Sequence, residues 1–275
     1  MILTIMAEKK PIITLLTDFG GQDYFVGAMK GAILKIVSNV DIVDIAHDIP
    51  AHDILQAAFM LKNYYRYFPA GTIHVAVVDP GVGTARRPLL AVSESGIFVV
   101  PDNGILSYVS AGQERCELRE ITADHYFLKP RAGTFDGRDV FAPVAAWLAK
   151  GVSPSSFGDV ISDEIRFDIS QPLAVQEHLW KCKILYVDRF GNLTSNLSKE
   201  FFEKLLDASE KNRFAFRIGD HTISKVSRNY AEAKEDGEIL ALFGSSGLLE
   251  FSVNQGSAAK ALKVRAGQDC LLKVV

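Results

Sequence analysis

The sequence predicts an α/β domain with a mostly parallel sheet and flanking helices, followed by a smaller antiparallel β domain. The expected division is residues 1–171 and 172–275. Three observations carry this. Over the first third, short aliphatic runs alternate with helix-spaced segments, the β-α-β-α-β rhythm of a parallel sheet with crossover helices. Several apolar runs end in Asp with Gly or Asn close behind, at Asp18, Asp79, Asp102 and Asp188. In the last third helices nearly vanish, and short strands recur every eight to twelve residues or so, as in an antiparallel sheet or small barrel.

Taken in order, Ile12 to Leu16 is an apolar run read as a buried strand, ending at Asp18-Phe19-Gly20-Gly21. Tyr24 to Val37 has helical spacing, with Phe25, Met29, Ile33 and Ile36 on one side. Gly27 and Gly31 would let that helix approach a neighbour closely. Val40 to Ala46 is the next strand, and Asp53 is a plausible N-cap for a helix over Ile54 to Tyr67. Thr72 to Val78 lacks polar alternation and reads as a strand buried on both faces. It cannot continue through Asp79-Pro80-Gly81-Val82-Gly83, because Pro80 has no N–H and the glycines invite turn angles. Arg86 and Arg87 follow at once, so one short loop gathers a carboxylate, backbone amides and guanidinium groups.

Leu89 to Val92 and Gly96 to Val100 read as a hairpin whose second arm leads to Asp102-Asn103-Gly104. The polar Gly133 to Pro143 segment enters an apolar helix over Val144 to Ala149. Val152 to Gln171, dense in Ser, Pro, Gly and Asp, reads as the connection between domains. Beyond it the expected strands are Lys183 to Val187, Arg213 to Ile218, His221 to Val226, Glu238 to Phe243, Leu248 to Val253 and Leu271 to Val275, with a helix only over Lys199 to Leu206.

Composition narrows the functional classes. The chain is 48% hydrophobic and 23% charged with a net charge of −3, so no basic surplus points to nucleic acid. No apolar run approaches the ~20 residues of a membrane span, and the first residues lack the features of a signal peptide. Cys116, Cys182 and Cys270 form neither a metal spacing nor a disulfide framework, and a cytoplasmic setting is expected.

Strand-exit carboxylates in an α/β domain stand where ligands bind and could take ribose hydroxyls, bind a cation or activate water. The alternative is that each satisfies its own turn amides. No phosphate-binding G-x-x-x-x-G-K-[ST] segment exists, and Gly81-Val82-Gly83 lacks a third glycine. No G-x-S-x-G elbow exists either; Gly244-Ser245-Ser246-Gly247 reads instead as a turn able to donate hydrogen bonds to a ligand. His47, Asp48, His52 and Asp79 offer metal-ligand types without a known spacing.

Together these motifs resemble the S-adenosylmethionine hydrolases, or SAM hydroxide adenosyltransferases, the hydrolytic relatives of the fluorinase and chlorinase. The resemblance runs through Thr17-Asp18-Phe19-Gly20, Asp79 to Thr84 with Arg86-Arg87-Pro88, Asp102-Asn103-Gly104, Gly137-Arg138-Asp139, Asp188 to Asn192, and Gly244 to Gly247, in the family's order. It implies a two-domain subunit assembled as a homotrimer, with S-adenosyl-L-methionine held between the N-terminal domain of one subunit and the C-terminal domain of its neighbour. Water would displace methionine from the 5′ carbon, giving adenosine, with no metal or organic cofactor. By position, Asp18 would hold the ribose hydroxyls, Asp188 and Ser245 the methionine portion and Asn192 the adenine. Asp79 and Arg86 would be the water-activating pair.

Two departures matter. The halogenating relatives carry Tyr and Thr where Asp79 and Val82 stand, which argues against halide chemistry here. The hydrolases usually carry His after a Thr-Phe pair, and here Thr134-Phe135 is followed by Asp136, which could bond the same water. Two alternatives stay open: a protein that binds S-adenosylmethionine or adenosine with weak or no catalysis, suggested by Asp136, and a metal-dependent hydrolase built on His47, Asp48, His52 and Asp79.

Overall fold

In the computed structural model, residues 10–111, 116–168 and 171–275 are described. The chain divides into two compact units, residues 1–169 and 170–275.

The first unit is built on a seven-stranded mixed sheet. Its strands are β1 (Ile12–Thr17), β2 (Asp41–Ala46), β3 (Thr72–Val77), β4 (Pro88–Val92), β5 (Gly96–Pro101), β6 (Glu117–Glu120) and β7 (Val160–Ile161), in the order β2-β1-β3-β5-β4-β6-β7. Neighbours from β2 to β5 pair in parallel, while β4, β6 and β7 add antiparallel edges. The helices are α1 (Phe25–Ile36), α2 (Ile54–Tyr64), α3 (Ser107–Ser110) and α4 (Ala142–Ala149). Strand alternation explains the layering. Ile13 and Leu15 of β1 join Met29 and Ile33 of α1 and Val144 and Ala145 of α4 in one core cluster. Thr14, between them, faces the other side, where its hydroxyl meets Tyr64 of α2 at 3.2 Å. Burying side chains such as Met29 and Ile33 is worth roughly 1.5–3 kcal/mol each. α2 starts where the sequence expects, because the Asp53 carboxylate accepts from Gln56 N at 2.9 Å.

All six residues of β3 are buried, the polar Thr72 and His74 among them, in keeping with a strand that lacks polar alternation. The chain then turns at once: Val82 N donates to Asp79 O, and Thr84 N donates to Gly81 O. Gly83 has φ +78°, and a Cβ there would sit 2.8 Å from Gly133 O, so this turn and the 133 loop touch backbone to backbone.

The second unit is an eight-stranded antiparallel sheet. Its strands are β8 (Leu173–Gln176), β9 (Leu179–Val187), β10 (Leu193–Ser198), β11 (Phe214–Ile218), β12 (His221–Ile223), β13 (Ile239–Phe243), β14 (Leu248–Val253) and β15 (Asp269–Val274). They run in the order β12-β11-β15-β9-β10-β14-β13, with β8 paired to β9. Helix α5 (Lys199–Asp207) and a one-turn α6 (Ala258–Leu262) complete it. Ile184, Leu193, Phe202, Phe216, Phe251 and Leu272 form its core.

The sequence expectations fail at identifiable places. Gly27 and Gly31 do not abut a neighbour; a Cβ at either meets open space, and α1 packs through Met29, Ala32 and Ile33 instead. Residues 152–168 are more than a connection, since Val160 and Ile161 add β7 to the first sheet. The last stretch of that expected linker, 169–170, lies outside the described residues. The polar β6 and the strand β10 carry no long apolar run and were not expected. Helix α6 is also new.

Candidate active site

Asp79 leaves β3 beneath the Pro80-Gly81 turn, and Arg86 comes back from the same turn to meet it. Arg86 Nε donates to Asp79 Oδ1 at 3.1 Å and Nη2 to Oδ2 at 2.5 Å, a forked pair. Arg86 Nη2 also reaches Asp136 Oδ2 at 3.0 Å. Asp136 comes from fifty residues further along the chain, at the start of a π-helical turn, Gly137–Phe141, that runs into α4. A fourth group was not expected from the sequence: Arg131 donates through Nε to Asp136 Oδ1 at 2.9 Å and through Nη2 to Oδ2 at 2.8 Å. Two carboxylates and two guanidinium groups therefore form one chain of bonds, Asp79–Arg86–Asp136–Arg131.

Three of the four are buried. Side-chain exposure is 5% for Asp79, 7% for Arg86 and 2% for Asp136, against 45% for Arg131. Arg86 stacks over the Phe141 ring at 5.2 Å, and its Nη1 is buried with no hydrogen-bond partner among the described residues. Burial pushes the Asp79 carboxyl above its ordinary value, the Arg86 charge and hydrogen bonds pull it back, and the Asp136 charge pushes it up again. A carboxyl held beside a fixed guanidinium in a largely buried site is placed to orient a water and accept its proton.

Beside these groups lies a small cavity of about 150 Å³, lined by Asp79, Asp136, Val82, Thr134 and the rings of Phe19, Phe25 and Phe135. The three rings pack edge-to-face or tilted at centroid distances of 5.2–5.9 Å. A Cβ on Gly137 would come within 3.1 Å of both Phe19 and Phe135, so that position is kept bare. The result is an apolar wall around two carboxylates, a setting that strips water from a reacting centre.

The other expected residues fall as follows. Asp18, at the exit of β1, accepts from His52 N at 2.9 Å through one oxygen. Asp102 is instead a structural latch: it accepts from both Nε and Nη2 of Arg87 and from Ile165 N, while Arg87 also holds Asp163. The metal alternative loses its donor set. His47 Nδ1 bonds Thr17 Oγ1 at 2.8 Å and Nε2 lies 3.1 Å from Asp44, and among the described residues no group of three His, Cys, Asp or Glu is placed to hold an ion.

In the second unit, Asp188 Oδ1 accepts from Phe190 N at 2.9 Å and Asn192 N at 2.8 Å, and Oδ2 accepts from Asn192 Nδ2 at 2.9 Å. Asp188 and Asn192 thus share one tight loop. They line an open cleft of about 810 Å³ with Phe190, Tyr230, Ser257 and Lys260. Phe190 is 74% and Tyr230 43% exposed, two aromatic surfaces that the apolar pattern alone did not single out. Tyr230 donates to Glu250 Oε1 at 2.8 Å, and burial first, then that bond, push its hydroxyl up to about 12. Ser245 is exposed at the β13–β14 turn and is not among the residues lining this cleft.

Both units match one family along their length. The SAM hydroxide adenosyltransferase N-terminal domain matches residues 13–158, and the C-terminal domain matches residues 182–271. The chain belongs to the SAM hydroxide adenosyltransferase family. It is similar to a protein of Thermus thermophilus named (R)-S-adenosyl-L-methionine hydrolase, 35% identical over 93% of this chain and 96% of that one. A fluorinase of Nocardia brasiliensis is more distant, 26% identical over 99% of this chain and all of its own length. An uncharacterised conserved protein of Thermotoga maritima has the same fold, with a TM-score of 0.86 and 32% identity over 95% of this chain and 99% of its own. The hydroxide adenosyltransferase domains thus cover the Asp79–Arg86–Asp136 cluster in one unit and the Asp188–Asn192 loop in the other. Among the described residues no helix is long and apolar enough to cross a membrane.

Proposed function

We propose that the chain hydrolyses S-adenosyl-L-methionine to adenosine and L-methionine, with Asp79 and Arg86 holding the attacking water. The observation that carries this is the forked, buried Asp79–Arg86 pair beside an aromatic-walled cavity, in a chain matched by the family over both units. In the proposed step the water oxygen forms a bond to the 5′ carbon while the carbon–sulfur bond breaks. The sulfur keeps the bonding pair and leaves as a neutral thioether, so no acid is needed at the leaving group. The water proton passes to Asp79 and then to solvent. Positioning water in line with the breaking bond and stripping its hydration supply the rate. Arg86 fixes the carboxylate, and Asp136 offers the same water a second acceptor.

Asp18 keeps a carboxylate oxygen available to the ribose hydroxyls. Asp188 and Ser245 are proposed for the methionine portion and Asn192 for the adenine, with Phe190 and Tyr230 as stacking surfaces. No metal or organic cofactor enters this scheme. The assembly is proposed to be a homotrimer, to be checked by light scattering, in the cytoplasm.

The test is turnover in ¹⁸O-labelled water with each sulfonium epimer supplied separately, since the Thermus relative is named for the (R) form. The label is expected in the adenosine 5′-hydroxyl, at equal rates with and without chloride or a chelator. Adenosine without label, or no adenosine from either epimer with enzyme in excess, sinks the proposal. A second reading, binding without turnover, draws on the engagement of Asp136 by both Arg86 and Arg131. It predicts that unreacted S-adenosylmethionine co-elutes with the protein.

A further inference from the structure

We propose that Arg131 is a positioning residue, supplying the second positive charge that lets Asp79 and Asp136 stand together as a buried carboxylate pair. The inference takes its reaction from the reading above, but its charge balance stands on the geometry alone. Asp79 and Asp136 both accept from one atom, Arg86 Nη2, so their carboxylates are no further apart than those two bonds allow. Two like charges in a dry site cannot both persist on one guanidinium; one would take up a proton. Arg131 removes that conflict by gripping both oxygens of Asp136.

This is not an ordinary surface pair of little consequence. Asp136 is 2% exposed, and Arg131 reaches it from a loop that is itself held in place. Ala132 N donates to Asp139 Oδ2 at 2.7 Å, Leu128 N donates to Asp139 O at 2.8 Å, and Gly133 O abuts Gly83. Asp139 is fully buried and is fixed in turn by Arg138. The Arg131 guanidinium also lies over the Phe127 ring at 5.8 Å. The charged groups facing the pair are therefore Arg86 from the Asp79 turn and Arg131 from the loop, with the self-neutralising Arg138–Asp139 pair behind. Removing Arg131 leaves the cluster one negative charge in excess.

The experiment compares Arg131→Ala and Arg131→Lys in the full chain, with folding checked by thermal melting. For Arg131→Ala, the acid limb of the kcat/KM profile should move up by about one pH unit, a loss of up to about tenfold on the acid side of the limb, with KM little changed. Arg131→Lys keeps the charge and should hold the limb near its original position. Asp136→Asn added to Arg131→Ala restores neutrality and should bring the limb back. A readout independent of turnover is carbon NMR of ¹³C-labelled aspartate carboxyls. In Arg131→Ala one carboxyl of the Asp79–Asp136 pair should take up its proton at higher pH. A folded Arg131→Ala protein with an unmoved carboxyl titration overturns the inference, as does a Lys variant that titrates like the Ala variant. If the unaltered protein proves inactive on S-adenosylmethionine, the functional reading fails, and the carboxyl titration still decides the role of Arg131.

Discussion

The Asp79 cluster and the Asp188 loop are both built from a carboxylate at a strand exit, yet they are organised in opposite ways. In the first unit the carboxylates are buried and locked to guanidinium groups, and the Arg86–Asp136 bond ties together two loops fifty residues apart in the chain. In the second unit the carboxylate closes its own loop through Phe190 N and Asn192 N, and the surrounding rings lie open to solvent. A preorganised, dry array is what a charge-developing step exploits, because nothing need rearrange as the reaction proceeds. An open cleft with stacking surfaces is what recognition of a nucleoside uses. Under the proposed function the first region would serve chemistry and the second binding, and each experiment below would break that division or sharpen it.

The largest effect is expected at Asp79. Asp79→Asn keeps the shape and one acceptor for Arg86 but removes the proton acceptor. The expected outcome is a fall in kcat of about a thousandfold, within the range for a lost general base. Affinity for S-adenosylmethionine, measured by calorimetry, should stay within severalfold. Equal losses of binding and turnover would place Asp79 among the recognition groups and erase the contrast.

The contrast also explains what the sequence could show. The turn at Asp79-Pro80-Gly81 and the N-cap at Asp53 are local, and local chemistry is legible without a structure. The alternation of buried runs and helical spacing likewise revealed the parallel strands β1, β2 and β3. Which way a side chain turns, and which partner it meets, is another matter. Arg131 and Asp136 are near neighbours in the chain, but nothing in Pro130-Arg131-Ala132 hints that the side chain turns inward to a buried acid. Asp102 looked like a ligand group because its strand-exit setting copies that of Asp79; its engagement by Arg87, which also holds Asp163 seventy-six residues away, makes it a latch. Strand β6, Glu117–Glu120, is short and polar, so its place in the sheet comes from pairing with β4 and β7 rather than from any apolar pattern.

The next effect concerns a different use of burial on the strand that leads to Asp79. His74, in β3, is fully buried; Nδ1 meets Thr14 Oγ1 at 2.9 Å, and the ring stacks on Phe98 at 5.2 Å. Among the described residues it has no carboxylate partner like those of the Asp79 cluster, and burial lowers its pKa from 6.5 to about 4. The unfolded chain therefore binds a proton below pH 6.5 that the folded chain refuses until about pH 4. Stability is full above pH 6.5 and falls as the pH drops through that window, by up to about 3 kcal/mol. His74→Phe removes the titration, so its stability relative to the unaltered protein should improve steadily from pH 7 to pH 4 in urea unfolding. A difference that does not change with pH would show that His74 is not the group responsible.

The smallest effects are expected in the second unit, at the cleft and at the β13–β14 turn, and they separate binding from turn structure. Asp188→Asn keeps the loop acceptor but removes the charge, and should raise KM about tenfold with kcat nearly unchanged, the value of one charge-assisted contact. Ser245→Ala should raise KM only about threefold, since a neutral hydroxyl contributes ~1 kcal/mol or less to a contact. Ser245 is exposed, so its loss should leave the melting temperature where it is. Its neighbour provides the control. Ser246 Oγ accepts from Leu248 N at 3.4 Å, beside Gly247 at φ +74°, so it belongs to the turn itself. Ser246→Ala should therefore lower the melting temperature slightly and leave KM alone. If the two variants behave alike, the hydroxyls serve only the turn, and recognition in the second unit rests on Asp188, Asn192 and the two exposed rings.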